Sequence, residues 1–412
     1  MNSIGYIILS FIVAVSLIDI GIEYLHIKRY REPIPEEMKD LYAKVTYGRY
    51  IKKEKRIFLF SMIKSAGRII IFFVFSVFGL FLSFSQNINH LVKSPSVEYL
   101  LFIGGFFGII FMFDMLLEYI EEFVYRSKKK SKKNITTFFV FLLKRFGIVF
   151  GLGGVVIFLM IVLYDVLGFI FFFILLVFIE SIVVLFSLFF TKLLVLFVYK
   201  LKPLEEGELK EQIQVFLRQE GYQIEDVYVL NQGNKGSDMN AFVSGFSSRK
   251  RIVLFESLVK KLTNDEIVAV IAHELGHQKY GHILYNMALS FFLVSGFVFG
   301  LGLLMSESIF STSFGFDSQH IGFSILLYIY LLDGFMMLAR FGLSYNSRRF
   351  EYQADHYAAT VWYKESLKNA LIKITKRNIE HLTPHPIYAM IYFTHPSLVE
   401  RLKKLNEEEY YE

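Results

Sequence analysis

The chain has no cysteine, which excludes disulfides, thiolate metal ligands and a cysteine nucleophile; any metal must be held by histidines and carboxylates. Proline is scarce, at 7 in 412 residues, and tryptophan occurs once, a balance that with plentiful Ile, Phe and Lys suits an AT-rich genome. Only 20% of residues are charged, too few for an ordinary soluble domain. What fills the sequence instead is apolar: 54% hydrophobic, 17% aromatic with 46 Phe, and a mean hydropathy of +0.45. This composition predicts a polytopic membrane protein. The pI near 9.0 would suit nucleic-acid binding, but the positive charge lies in short loops beside apolar runs. That is the positive-inside pattern, so membrane lipid and no nucleic acid is expected as partner.

Runs long enough to cross a bilayer fall near 4–25, 66–86, 99–120, 146–166, 168–199, 284–305 and 321–343, seven spans in all. The first lacks a basic leader and a small-residue cleavage site and reads as a retained span. The loop at 26–56, with ten Lys and Arg, and the loop at 121–137, with Arg126, Lys128, Lys129, Lys130, Lys132 and Lys133, both belong on the cytoplasmic side. Seven spans then place 200–283 and 344–412 on that side too. Ionisable residues inside apparent spans either snorkel to the interface, as open to Glu118, Lys144, Arg145 and Arg340, or face a polar interior, the reading favoured for Glu180 and Asp333. Four regions follow: an N-terminal membrane domain over 1–203 with five spans, a cytoplasmic insert over 204–283, two further spans over 284–343, and a helical segment over 344–412. The insert reads as a helix from Glu205 to Glu220 and strands near Val227–Leu230, Asn240–Gly245 and Arg251–Phe255, a small α+β module.

Within the insert, His273-Glu274-Leu275-Gly276-His277 sets two imidazoles four residues apart, on one helical face and in reach of a single metal ion. Glu274 stands where it can take a proton from water at the ion's open position. The pattern arises by chance in roughly one in a hundred chains of such composition. Thr263-Asn264-Asp265-Glu266 fits a capping box that starts a helix running into the motif. A protease zinc site needs a third ligand from another helix. Glu351 is the best candidate: it shares a helical face with Asp355, so that one can ligate while the other bonds a ligand histidine from behind. Local sequence alone favours an ordinary solvated carboxylate at Glu351. His282 reads as off the metal face and interfacial, and His26, His90, His320, His356, His381 and His385 as structural.

The HELGH motif followed by Glu351-Tyr352-Gln353-Ala354-Asp355 resembles the paired motifs of the type I CAAX prenyl proteases, integral-membrane zinc endopeptidases that trim prenylated precursors. The likeness continues at Thr394-His395-Pro396-Ser397-Leu398-Val399-Glu400-Arg401-Leu402, at Asn240-Ala241-Phe242 through Arg251–Phe255, and in the loop from Pro33 to Tyr50. It implies an all-α polytopic fold of about seven transmembrane helices around a water-filled chamber, with a small α+β gluzincin-type module. It implies that His273, His277 and Glu351 ligate one Zn2+ and that Glu274 is the general base and acid. It also implies that His395 and Arg401 stabilise the oxyanion or grip the peptide, that Asn240 bonds the substrate backbone, and that Asp355 supports a ligand. Without the resemblance, His395 reads as a helix-capping residue and Arg401 as a surface charge. Gln278 and Asp238 depart from the family's usual Trp and His, and bear on prenyl specificity rather than chemistry. The expected function is zinc-dependent endopeptidase activity on a peptide or protein substrate, prenylated if the family's specificity holds, in the plasma or inner membrane of a prokaryote or the endoplasmic reticulum of a eukaryote. The rivals are a membrane-protein quality-control protease and, remotely, a transporter or scaffold with structural zinc; the latter would want four protein ligands, and three are found.

Overall fold

The computed structural model describes residues 1–30, 44–125, 134–197, 201–230, 239–244, 249–378 and 381–407. The lysine cluster at 126–133, most of the loop read from Pro33, Asp238 and the end of the acidic tail lie outside them. In chain order the elements are α1 (Ser3–Arg29), α2 (Lys44–Val77), α3 (Leu80–Asn89), α4 (Pro95–Tyr119), α5 (Ile135–Phe146), α6 (Gly153–Leu167), α7 (Ile170–Phe197), β1 (Leu201–Pro203), α8 (Glu208–Gln219), β2 (Gln223–Leu230), β3 (Ala241–Ser244), β4 (Arg249–Phe255), α9 (Glu256–Val259), α10 (Asn264–Lys279), α11 (His282–Ser306), α12 (Ser308–Thr312), α13 (Ile321–Ala358), α14 (Lys364–Asn378), α15 (Pro386–Tyr392) and α16 (Leu398–Asn406).

Among the described residues, six helical stretches are long and apolar enough to cross a membrane: Ser3–Arg29, Tyr47–Val77, Pro95–Val124, Ile135–Leu167, His282–Ser306 and the stretch starting at Ile321. The run near 168–199, expected as a seventh span, forms the single 28-residue helix α7, whose stretch Ile170–Phe186 is apolar but shorter than these six. The second and fourth boundaries differ from expectation. The second helix begins at Lys44, well before the apolar run, because nothing in the charged stretch Lys52–Arg56 breaks a helix; it ends at Val77, inside the run. The fourth begins at Ile135 and passes through a π-helical turn at Gly147–Leu152.

One compact unit comprises Met1–Leu25, Glu54–Ile179 and Leu293–Ala339. At its centre the buried Phe81 ring meets Phe72, Phe102, Phe106 and Phe323 at centroid distances of 5.5, 6.1, 5.3 and 5.2 Å, the offset geometry aromatic pairs prefer. Large apolar side chains such as Phe78, Leu143 and Ile170 point outward, as a lipid-facing surface requires. Several charges on these helices are paired, although Glu180 keeps one buried carboxylate oxygen without a hydrogen-bond partner. Glu118 accepts from Lys64 at 3.0 Å and from Arg145 at 2.7 Å, Arg56 lies 3.2 Å from Glu121, and Arg68 is forked onto Asp114. Glu118 and Arg145 thus resolve toward mutual pairing rather than snorkelling, since a shared ion pair spares each the cost of facing lipid alone.

The other unit comprises His26–Lys53, Glu180–Phe292 and Arg340–Glu412. Its sheet runs β1-β2-β4-β3, with β2 and β4 parallel and both outer pairings antiparallel. The three expected strands are present, and β1, a three-residue strand ending in Pro203, was not anticipated. On this sheet lies α10. Thr263 caps it as expected: its Oγ1 accepts from Glu266 N at 3.3 Å while Glu266 Oε2 accepts from Thr263 N at 2.9 Å. Glu266 also receives Lys373 of α14 at 2.7 Å, which ties the cap to a neighbouring helix. From Ile267 to Ala272 every residue is buried, so α10 is a central helix rather than an amphipathic one.

Small residues let α10 and α13 approach closely. A Cβ on Gly276 would fall 2.9 Å from Ala354 Cα and 3.1 Å from Tyr357 Cβ. We expect Gly276→Ala to force the two helices apart and lower stability by about 1–3 kcal/mol. Thermal unfolding in detergent checks this, and a midpoint equal to the parent protein's would refute the close packing.

Candidate metal centre

The two motif histidines stand on the last turns of α10, and α13 presents Glu351 and Asp355 one turn apart on its facing side. His273 Nε2 lies 3.2 Å from His277 Nε2 and 3.5 Å from Glu351 Oε2, and His277 Nε2 lies 3.6 Å from Glu351 Oε1. Among the described residues these three form the group whose donor atoms converge within 4.8 Å. A tetrahedral zinc with bonds near 2.0–2.1 Å sets its ligand atoms roughly 3.3–3.4 Å apart. The triangle fits such an ion, and two neutral nitrogens with one carboxylate leave a fourth position open.

Each of the three side chains has a further partner. His273 Nδ1 donates to Asp355 Oδ1 at 2.9 Å, leaving Nε2 toward the triangle. Asp355, 2% exposed, also takes Arg401, whose Nε donates to Oδ2 at 2.8 Å and Nη2 to Oδ1 at 2.5 Å. Arg401 Nη1 lies 3.4 Å from Glu351 Oε2. Arg401 is delivered by a second capping box, in which Ser397 Oγ accepts from Glu400 N and Glu400 Oε2 accepts from Ser397 N, starting α16 one turn earlier. His395 Nδ1 reaches Glu351 Oε1 at 2.9 Å while its side chain stays exposed. The segment before it is moored by α13: Ser344 Oγ donates to the Ile391 carbonyl at 2.8 Å, and Arg348 donates to the Ala389 carbonyl.

A cleft of about 870 Å³ opens over the triangle, with His273, Glu274, His277, Glu351, His395, Arg401 and Asn240 all on its walls. Burial pushes the Glu274 carboxyl up to about 7, partly countered by His273. Burial, with His273 next to it, presses His277 down to about 3, so its imidazole is neutral. His273 is raised: burial opposes its charged form, but the Asp355 carboxylate and then Glu351 outweigh it. The hydrogen bond to Glu351 raises His395.

The outermost strand, β3, runs along the cleft. Phe255 N donates to Asn240 O at 3.0 Å, so Asn240 and Phe242 turn their backbone toward β4, while Ala241 and Val243 turn theirs outward. Asn240 Oδ1 accepts from Ala241 N at 2.9 Å, and Gln278 Nε2 donates to the Val243 carbonyl at 2.9 Å.

Seven of the eight sequence-selected residues line one cleft, and the eighth, Asp355, lies behind it against His273 and Arg401. Three neighbours had been given other readings: Gln278, noted only as a departure from the family pattern, bonds β3; His381, read as structural, stands on the cleft wall; and His282 is not interfacial but buried against His277. The helical-face argument failed for His282 because α10 stops at Lys279. Gly281, at φ +68°, then turns the chain so that the next residue comes back toward the motif.

The fold and this centre define a polytopic membrane protein with a His-His-Glu group able to hold a metal ion. Residues 203–409 match peptidase family M48, and residues 23–197 match the CAAX prenyl protease N-terminal region with its five membrane helices. The chain belongs to peptidase family M48. It is 34% identical over 215 residues to a CAAX prenyl protease 1 homolog of Arabidopsis thaliana, covering 51% of this chain and 50% of that protein. It is 29% identical over 338 residues to CAAX prenyl protease 1 of Saccharomyces cerevisiae, covering 77% and 74%. The match thus spans half the length of the plant relative and about three quarters of the yeast one. The crystal structure of S. mikatae Ste24p superposes with a TM-score of 0.75 at 25% identity, over 99% of this chain and 100% of that one.

Proposed function

We propose that this chain is a zinc-dependent endopeptidase of the membrane that hydrolyses peptide bonds in CAAX-type, prenylated protein substrates. The observation that carries this reading is the triangle of His273, His277 and Glu351, with Glu274 on the wall of the same cleft. His273, His277 and Glu351 would hold zinc, which when bound polarises a carbonyl and makes water acidic enough to attack at neutral pH. Glu274 takes the proton of the attacking water and returns it to the leaving amine, a task suited to a carboxyl whose pKa is lifted toward neutrality. The peptide adds to the outward edge of β3, where Asn240 and the Ala241 carbonyl meet its backbone. His395, exposed above Glu351, is placed to donate to the charge developing on the scissile carbonyl. Arg401 is engaged by Asp355 and Glu351, which suits it to orienting the ligands as well as to balancing that charge. The positive-inside charge of the loops supports a cytoplasmic catalytic side.

The test is hydrolysis by the purified protein of a farnesylated CAAX peptide and its unlipidated twin, with and without a zinc chelator. We expect cleavage that the chelator abolishes and added zinc restores, with the lipidated peptide preferred. Cleavage indifferent to chelation would reject the metal chemistry, and equal cleavage of both peptides would move the substrate assignment to membrane-protein quality control.

A further inference from the structure

His282 sits one residue past the glycine that ends the metal helix, 4% exposed, its ring stacked on Phe350 at 4.0 Å between centroids and 15° between planes. Its Nδ1 lies 2.9 Å from His277 Nδ1, and its Nε2 lies 3.0 Å from Gln353 Oε1. Resting on the metal-site reading above, we propose that Gln353 and His282 form a positioning relay that fixes the proton of His277 on Nδ1 and so presents Nε2, lone pair outward, to the ion.

The argument is one of donors and acceptors. Gln353 Oε1 can only accept, so the hydrogen on the His282–Gln353 bond belongs to His282 Nε2. A neutral imidazole has one N–H, which leaves His282 Nδ1 an acceptor. The contact between the two Nδ1 atoms then requires His277 Nδ1 to donate. His277 is left with its lone pair on Nε2, the atom that faces His273 and Glu351. Stacking on Phe350 holds the ring in the plane that makes both bonds. The two ligand histidines are thereby supported unequally, His273 by a carboxylate and His277 by a neutral imidazole backed by an amide. Two faces of α13 do this work: Glu351 and Asp355 serve the ion and His273, while Phe350 and Gln353 serve His282. Partners that orient a ligand histidine are commonly worth 10- to 100-fold in metal affinity.

The experiment measures the zinc dissociation constant of the full-length protein in detergent by competition with a fluorescent chelator, together with the melting midpoint of the metal-free form. His282→Phe keeps a ring on Phe350 but has no acceptor for His277. We expect zinc to bind about 10- to 100-fold more weakly with the metal-free midpoint unchanged. His282→Asn, whose Oδ1 replaces Nδ1 as the acceptor, recovers most of the affinity, which a merely structural role for the ring would not produce. Gln353→Leu leaves the ring and its stack in place but frees the His282 tautomer, and it lies between the two; it decides on the same scale if the phenylalanine variant does not fold. Zinc affinity equal to the parent protein's in both His282→Phe and Gln353→Leu, or in Gln353→Leu alone when the first does not fold, overturns the relay while leaving the metal site standing. A parent protein that binds no zinc removes the site reading and the relay together.

Discussion

Glu274→Gln is expected to bind zinc as the parent protein does and to lose about 10²- to 10⁴-fold in kcat on any cleaved peptide. The substitution keeps the size and the polar end of the side chain but removes its capacity to accept a proton. The ligand triangle is drawn by His273, His277 and Glu351 and does not include Glu274, so metal occupancy has no reason to fall. Burial lifts the Glu274 carboxyl to about 7, so near neutral pH both its protonated and its charged form are accessible without a large cost. A glutamine offers neither half of that exchange. The loss corresponds to about 3–5 kcal/mol of barrier at 1.36 kcal/mol per tenfold. Zinc content by atomic absorption and single-turnover rates on one sample check both halves. Full turnover with zinc bound would take Glu274 out of the chemistry.

How much of this was legible beforehand varies by residue for physical reasons. The metal helix was fully legible, since a capping box and a four-residue histidine spacing are local signals that tertiary structure had no cause to override. Glu351 was not legible from its surroundings: a carboxylate in the polar segment after the last apolar run looks solvated, and only the fold brings it to 4% exposure against the histidines. The family resemblance supplied that long-range pairing. Six of the seven expected spans were readable from apolar length, but the ends of the second helix were not. Charged Lys and Glu residues are good helix formers, so α2 extends through them, and its actual break at Phe78–Gly79 lies within an apolar run where hydropathy is blind. Charges inside spans could be recognised as polar-interior candidates, yet the partners Lys64 and Arg68 were needed to read Glu118 and Asp114 as pairs. His282 was misread because face arguments hold only while a helix continues, and α10 ends first.

Asp355→Ala should cost more stability than any other single change at the centre, and the reason separates structure from chemistry. Asp355 is the anion shared by the His273 N–H and two nitrogens of Arg401, all of them largely withdrawn from water. Removing it strands a guanidinium whose side chain is 12% exposed, a loss of about 3–5 kcal/mol for a broken buried pair. The freed Arg401 also has a second anion within reach, because Nη1 already lies 3.4 Å from Glu351 Oε2. It would then compete with the ion for that carboxylate, while His273 loses the acceptor that holds its ring. Zinc affinity should fall by about 10- to 100-fold on the second count alone. Combining Asp355→Ala with Arg401→Met removes the stranded charge, so most of the thermal midpoint should return, since an apolar replacement for a buried pair is often neutral. The zinc affinity should not return, because His273 still lacks its partner. A double variant that regained both would mean that Asp355 serves only to neutralise Arg401, and a single variant with the parent midpoint would mean that the pair is not buried as described.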